Sequence, residues 1–394
     1  MKKRLINFFI IILILINFSA CRDLRTGDKK SLGQENNLTI HENAAKEKVE
    51  EDKKVYIELL AMGDMIFHRP LVNSSRVNDT YDFSKSFANI SLDLQKADIA
   101  LANFEGSINS DRKLSGFPLF NFPKETITGL KNAGFELLTT ANNHCLDTGV
   151  DGVKETIKTI NANGIMNVGT YLDSNHSDII IEKNNIKVGF LAYTDLLNGM
   201  DGLIKGKEYM VNTFEDRDFK KDIDNLAKKV DFLVIIPHWG EEYQFKPSAR
   251  QEELKNQLYE AGADIVLGSH PHVVQKCEDF YINGERKFIC YSMGNAISNQ
   301  TEKVIGKKGV ESGLMIKLKL EKNLTKNISR IIDIETIPTC TLKYREGDKN
   351  IYGIFKYTDI LDGGKFSGMF DENSKRIFKE RYEYTNKIIE GKNE

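Results

Sequence analysis

The sequence lacks a surplus of charge of either sign. Its 55 Lys and Arg balance 57 Asp and Glu, leaving a formal net charge of -2. A basic excess of the kind that neutralises nucleic-acid phosphates is missing, and so is the acidic excess of a disordered tail. Internal repeats and low-complexity blocks are also missing. The five cysteines (Cys21, Cys145, Cys277, Cys290 and Cys340) form no CxxC pair, which leaves no thiolate zinc knuckle or redox motif to build on. Without Cys21 the remaining four permit two disulfides but do not demand them, and buried free thiols are the expectation. Histidine is scarce, with seven in 394 residues, and tryptophan occurs once, at Trp239.

Long apolar runs are confined to the N-terminus. Lys2, Lys3 and Arg4 precede an unbroken apolar run from Phe8 to Ile16. A membrane-spanning helix needs roughly 20 apolar residues, so this run suits the h-region of a secretory signal. It ends in Phe18-Ser19-Ala20-Cys21, which resembles the lipobox of bacterial lipoproteins, where the Cys is acylated and becomes the new N-terminus. Residues 1–21 are expected to be a signal with a lipid anchor at Cys21. Even an uncleaved anchor puts the rest of the chain outside the cytoplasm. Residues 22–54, polar and rich in Glu and Lys from Glu42 onward, read as a tether.

From Val55 the chain alternates strand-like and helix-like segments. Strands are expected at 55–62, 98–102, 135–140, 187–193, 231–236, 265–267 and 287–291. Helices are expected at 125–133, 150–163, 215–229 and 248–261, with Gly134, Gly164 and Gly262 as stops. This alternation predicts an α/β fold. Asp64, Glu105, Asn143, His238, His270 and Asn295 each follow a predicted strand. In open α/β sheets ligands bind beyond the carboxyl ends of the strands, so residues distant in sequence converge on one crevice. After 300 the pattern turns to β, with strands expected at 313–320 and 331–338, and then to a charged, partly helical tail. Residues 55–300 are taken as the metal-binding domain and 301–394 as a β/α extension.

The chemistry rests on those strand ends. Imidazole suits Zn, Mn, Fe and similar ions, and carboxylates add the charge that holds a divalent cation. His270 and His272 in His270-Pro271-His272 can both reach one site, and Gly268 permits close backbone approach. Asn143 is a candidate amide ligand, unlike the Cys and His of structural zinc sites, and His144 a candidate proton donor or acceptor. Asp147 either orients His144 or caps the following helix. Asp64 is a candidate carboxylate ligand, although Gly-Asp also makes plain turns. Glu105 suits a bridging or charge-balancing place. Glu242 is a candidate base or substrate acceptor, or a solvated loop residue. Trp239 belongs either to the crevice wall or to the core.

Six ordered motifs carry a family resemblance: Gly63-Asp64; Asn103-Phe104-Glu105-Gly106; Asn142-Asn143-His144-Cys145-Leu146-Asp147-Thr148-Gly149; His238-Trp239-Gly240-Glu241-Glu242-Tyr243; Gly268-Ser269-His270-Pro271-His272-Val273-Val274-Gln275; and Tyr291-Ser292-Met293-Gly294-Asn295. Together they resemble the CapA family of poly-γ-glutamate capsule synthesis proteins, over about residues 55–298. That family is similar to the calcineurin-like metallophosphoesterases, which implies a four-layer α/β/β/α sandwich holding one or two divalent ions (Mn, Zn or Fe). The resemblance implies Asp64, Glu105, Asn143, His238, His270 and His272 as ligands, His144 as general acid, and Asp147 and Glu242 in support. Ile66 stands where the phosphoesterases carry the His of Asp-x-His, which puts one metal position in doubt. Ala296 stands where an aromatic residue often follows Gly-Asn. Three functions follow from the resemblance: a metal-dependent hydrolase or transferase acting on a γ-glutamyl polymer or envelope peptide, a phosphoesterase, or a non-enzymatic subunit working with membrane capsule synthase subunits. The implied setting is the membrane surface of a Gram-positive bacterium.

Overall fold

A computed structural model describes residues 52–175 and 177–392. The predicted signal, Cys21 and nearly all of the tether lie outside the described residues. Among those described, no helix is long and apolar enough to cross a membrane.

Two sheets form the body. In the first, the order runs Lys349–Lys356, Ile328–Glu346, Ser312–Asn323, Lys54–Met65, Ile99–Phe104, Leu137–Thr139, Met166–Val168, and Asn295–Ile297 pairs with the upper end of Lys54–Met65. In the second, the order runs Cys277–Ile282, Glu285–Cys290, Ile265–Leu267, Phe232–His238, Ile186–Thr194, Ile179–Lys183.

Alternation along each strand explains the layering, since successive side chains point to opposite faces. On Lys54–Met65, Leu59 and Ala61 face a core shared with Phe190, Ala192, Val234, Ile236 and Leu267 of the second sheet. Leu60 and Met62, one residue out of phase, pack with Phe87, Leu94, Ile127 and Leu130 from helices. On the second sheet, Leu191, Leu233, Ile235 and Val266 turn the other way and meet Ile223, Leu226, Leu254 and Leu258 from two further helices. The layers therefore run α/β/β/α. Both faces of the central strands are covered, so Phe232–His238 is buried at every position and reads as a continuous apolar run.

Local chemistry fixes the helix ends. Ser248 accepts from the Gln251 N–H while the Gln251 side chain accepts from the Ser248 N–H at 2.9 Å, a reciprocal cap that starts Ala249–Ala261. Gly262 ends that helix at φ 117°, a conformation that disfavours any Cβ. Gly134, at φ 120°, ends Glu125–Ala133 in the same way. The expected 215–229 helix is shorter, Phe219–Ala227, because Asp218 takes the cap by accepting from Lys221 N–H.

Residues beyond 300 are not appended to a finished domain. Ser312–Asn323 pairs antiparallel with Lys54–Met65, in register from Lys54↔Asn323 to Met62↔Met315, so it lies inside the first sheet. Ile328–Glu346 and Lys349–Lys356 continue that sheet outward, and the helix Glu372–Ile389 adds Ile388 and Ile389 to the inter-sheet core.

Candidate metal centre

Lys54–Met65, Ile99–Phe104 and Leu137–Thr139 run parallel in one sheet, as do Phe232–His238 and Ile265–Leu267 in the other. Their carboxyl ends open on the same crevice, where residues from both sheets touch.

Asp64, still within its strand, is fully buried. Its Oδ1 accepts from Asn103 Nδ2 at 2.8 Å, and its Oδ2 accepts from the His270 N–H at 3.2 Å and lies 3.2 Å from His272 Nδ1. The last residue of its strand, His238, places Nε2 2.9 Å from Asn143 Oδ1 and 3.1 Å from His270 Nδ1. On the other side of that ring, Nδ1 lies 3.0 Å from Ser269 Oγ and 3.3 Å from Asn103 Nδ2. Glu105 sits between the two groups: its Oε1 is 3.9 Å from His238 Nε2 and 3.5 Å from His272 Nε2. Two triads result, Glu105–His238–His270 and Asp64–Glu105–His272. In each, the donor atoms lie within 4.8 Å of one another, and Glu105 is common to both.

The electrostatics suit a cation. Neither Glu105 oxygen has a hydrogen-bond partner among the described residues, although the side chain is wholly buried. Burial, reinforced by the Asp64 carboxylate, drives the Glu105 carboxyl well above the usual carboxylate range. Burial also holds His238 well below the ordinary imidazole value and pushes His270 down to about 3. The two rings are thus neutral at physiological pH, the form in which imidazole ligates a metal.

His144 lies beside the triads and not in them. Its Nδ1 is 2.8 Å from Asp147 Oδ2, and the same carboxylate oxygen accepts from the Phe120 N–H at 2.6 Å. The His144 ring meets the Phe120 ring edge-on at 4.7 Å. Asp147 is buried and orients His144, so it is not the exposed cap that the sequence left open. Glu242 is exposed at the mouth of the crevice, which is also lined by His68, Phe117, Phe120, His144, Tyr243 and His272. It does not join the triads.

The remaining sequence candidates separate cleanly. Asn295 opens a short strand opposite Asp64, and its Nδ2 donates to the His272 carbonyl at 3.2 Å, which supports the His270-Pro271-His272 loop from behind. Ile66 is buried among the helix-side apolar residues. His68 accepts from the Asn299 N–H at 3.2 Å through Nδ1, and burial pushes it down to about 4. Trp239 is core: its Nε1 donates to the Tyr291 carbonyl at 2.9 Å within the helix layer of the second sheet.

Sequence reasoning missed three organising features. Asn103 bridges Asp64 and His238 through one amide, with its own Oδ1 held by Thr139 at 3.0 Å and Asn142 at 3.2 Å. Asn142 also accepts from the His144 N–H at 3.2 Å. An amide inside a fully buried strand, as at Asn103, was the available clue. The third is backbone conformation: His270 has φ 98° and His272 φ 57°, values rare for residues with a Cβ. Such conformations persist only where the surroundings over-determine them, and they gather at functional sites.

Fold and site together define an α/β/β/α sandwich whose sheet edge carries a buried histidine–carboxylate cluster able to hold metal. More particularly, the chain belongs to the bacterial capsule synthesis protein family PGA_cap, whose family model matches residues 58–300. It is 32% identical over 258 residues to the capsule biosynthesis protein CapA of Bacillus anthracis, covering 62% of this chain and 60% of that protein. It is also 32% identical over 205 residues to the PGA biosynthesis protein CapA of Bacillus subtilis (strain 168), covering 51% of each. The chain thus spans between half and three fifths of the length of these relatives. Among solved structures it is similar to a phosphatase from Mycoplasma pneumoniae, at 13% identity and a TM-score of 0.44, covering 73% of this chain and 94% of that one. It is also similar to the NAD nucleotidase of Haemophilus influenzae, at 12% identity and a TM-score of 0.43, covering 84% and 63%.

Proposed function

We propose that this member of the capsule synthesis family is a metal-dependent hydrolase or transferase. It acts outside the cytoplasm, tethered through a lipid on Cys21, on γ-glutamyl linkages of a polymer or envelope peptide. The observation that carries the reading is Glu105: a fully buried carboxylate with neither oxygen satisfied, shared by two triads. Ionising a carboxyl buried in this way is costly, and one or two divalent cations would offset that cost. The donor set fits. His238 and His270 with Glu105, joined by the amide oxygen of Asn143, would hold one ion, and Asp64 and His272 with Glu105 the other. The mix of nitrogen and oxygen donors suits Mn, Zn or Fe.

The residues of the two triads would hold the ions, which when bound would supply Lewis-acid polarisation of a scissile carbonyl and activation of water. The chain's own residues supply the rest. Asp147 accepts from His144 Nδ1, which leaves the Nε2 lone pair to take up a proton and pass it on to a leaving amine. Glu242, at the mouth, accepts from donors on the substrate. Asn103 and Ser269 hold His238 in orientation, as outer partners of metal ligands commonly do. The γ-glutamyl substrate rests on the resemblance of the six motifs to the poly-γ-glutamate capsule synthesis family.

The test is elemental analysis of the purified protein beside a His270→Ala/His272→Ala variant, with both assayed on a γ-glutamyl amide and on a phosphoester with added Mn or Zn. The expected result is wild-type protein carrying divalent metal and cleaving the γ-glutamyl amide, with both properties lost in the variant. Cleavage of the phosphoester alone would reassign the substrate class. Metal-free wild-type protein with no metal-stimulated activity would overturn the reading.

A further inference from the structure

Cys277 and Cys290 lie on adjacent antiparallel strands, Cys277–Ile282 and Glu285–Cys290, directly opposite one another in register. The Tyr291 N–H donates to the Lys276 carbonyl at 3.1 Å. Lys276 and Tyr291 are therefore a hydrogen-bonded pair, and the next pair along, Cys277 with Cys290, is a non-hydrogen-bonded one. In such pairs the Cα atoms stand ~4.5 Å apart with their side chains on the same face. A disulfide needs Cα atoms roughly 4.4–6.8 Å apart, so this backbone can accept one without moving. Both side chains face the core between the sheets: Cys290 is part of it, and Cys277, half-buried on the edge strand, packs against it. The Cys290 thiol is the neighbour that most perturbs Cys277. Cys340 belongs to a separate cluster near the C-terminus.

We propose that Cys277 and Cys290 are a closable cross-strand dithiol, a redox modification site outside the candidate metal centre. The co-reactant is a low-molecular-weight disulfide. The Cys277 thiolate attacks one of its sulfurs, forming a mixed disulfide and releasing one thiol. The Cys290 sulfur then attacks Cys277, forming the intramolecular bond and releasing the second thiol. Two protein thiols lose two hydrogens, and the small disulfide gains them. The link staples a hairpin whose two ends run straight into the site. Val273–Lys276 leads back to His272, and Tyr291–Gly294 leads on to Asn295, with the Gln275 N–H donating to the Ser292 carbonyl at 3.0 Å between them. Closure fixes the register of the strand ends that hold His272 against Asn295. The neighbouring Cys290 thiol, followed by burial, holds the Cys277 thiol well above the usual range, so closure is slow at neutral pH and accelerates as pH rises.

The test is incubation of the purified protein with oxidised glutathione at alkaline pH, alkylation of remaining thiols, and peptide mass mapping without reductant. The expected product is one cross-linked peptide pair joining Cys277 to Cys290, two hydrogens lighter than its reduced parts. Its formation raises the Tm by a few degrees, and added reductant reverses the shift. Cys277→Ser and Cys290→Ser each abolish the link and the shift, whereas Cys340→Ser leaves both. Recovery of Cys277 and Cys290 as alkylated thiols, as glutathione adducts only, or linked to other cysteines would overturn the proposal, and wild-type protein alone suffices to show it.

Discussion

His144 and Asp147 show how much one hydrogen bond can decide. Asp147 Oδ2 is committed both to His144 Nδ1 and to the Phe120 N–H, so the ring has one orientation and one useful tautomer. Asp147→Asn keeps the shape and reverses the polarity of the contact. On the proposed function it lowers turnover by roughly 10²–10⁴-fold while metal content stays at the wild-type level, measurable by parallel assays of rate and bound metal. Titration gives a second prediction, for protein stripped with a chelator. His68 is held down to about 4 and His270 down to about 3, both from 6.5. Between those limits the unfolded chain binds protons that the folded chain refuses, so stability falls as pH drops below 6.5. Glu105 acts in the opposite sense, because its raised carboxyl keeps a proton above 4.5 where the unfolded chain has lost it. Asp264, raised by burial, opposes the lowered imidazoles in the same way as Glu105, so the test is made on His68 alone. His68 accounts for on the order of 2 kcal/mol by pH 5, and His68→Asn should remove about that much of the fall in unfolding free energy between pH 7 and pH 5, read from urea titrations at each pH. At this scale the sequence exposed the ligand candidates, because rare residues at strand ends stand out. It hid Asn103, whose role exists only once two sheets meet, and the left-handed backbone of His270 and His272, which residue types other than glycine do not advertise.

Among elements, the long and strongly patterned ones were legible. Glu125–Ala133 carries a glycine stop, and Ala249–Ala261 carries both a capping box and a glycine stop. Strands of three residues, such as Met166–Val168 and Asn295–Ile297, are too short to show a period and are made by their neighbours. The connection after Ile265–Leu267 depends on Gly268, where an added Cβ would stand 2.0 Å from the Tyr291 carbonyl oxygen and 2.6 Å from Trp239 Nε1. Tyr291 and Trp239 are already bonded to each other there, so neither can yield cheaply. Gly268→Ala should therefore cost at least about 2–3 kcal/mol in a denaturant titration. It should also weaken metal binding, because the displaced segment carries His270.

For the molecule as a whole, the α/β class followed from the alternation of patterns, but the place of the last hundred residues did not. Pattern identifies Ser312–Asn323 as a strand and cannot name its partner; register with Lys54–Met65 supplies it. A truncated chain ending at residue 300 would expose that edge of Lys54–Met65 and the apolar residues Leu314, Ile316 and Leu318 would be missing from the inter-sheet core. It should aggregate or elute as a swollen species on size exclusion, while residues 52–392 give a compact peak with native circular dichroism. The same pairing sets a timetable. Synthesis delivers Lys54–Met65 early and its antiparallel neighbour some 250 residues later, so the strand that supplies Asp64 waits with one side unzipped until most of the polypeptide exists. The histidine–carboxylate pocket is thus a late product of assembly, and anything that guards that waiting edge during biogenesis governs the yield of working protein.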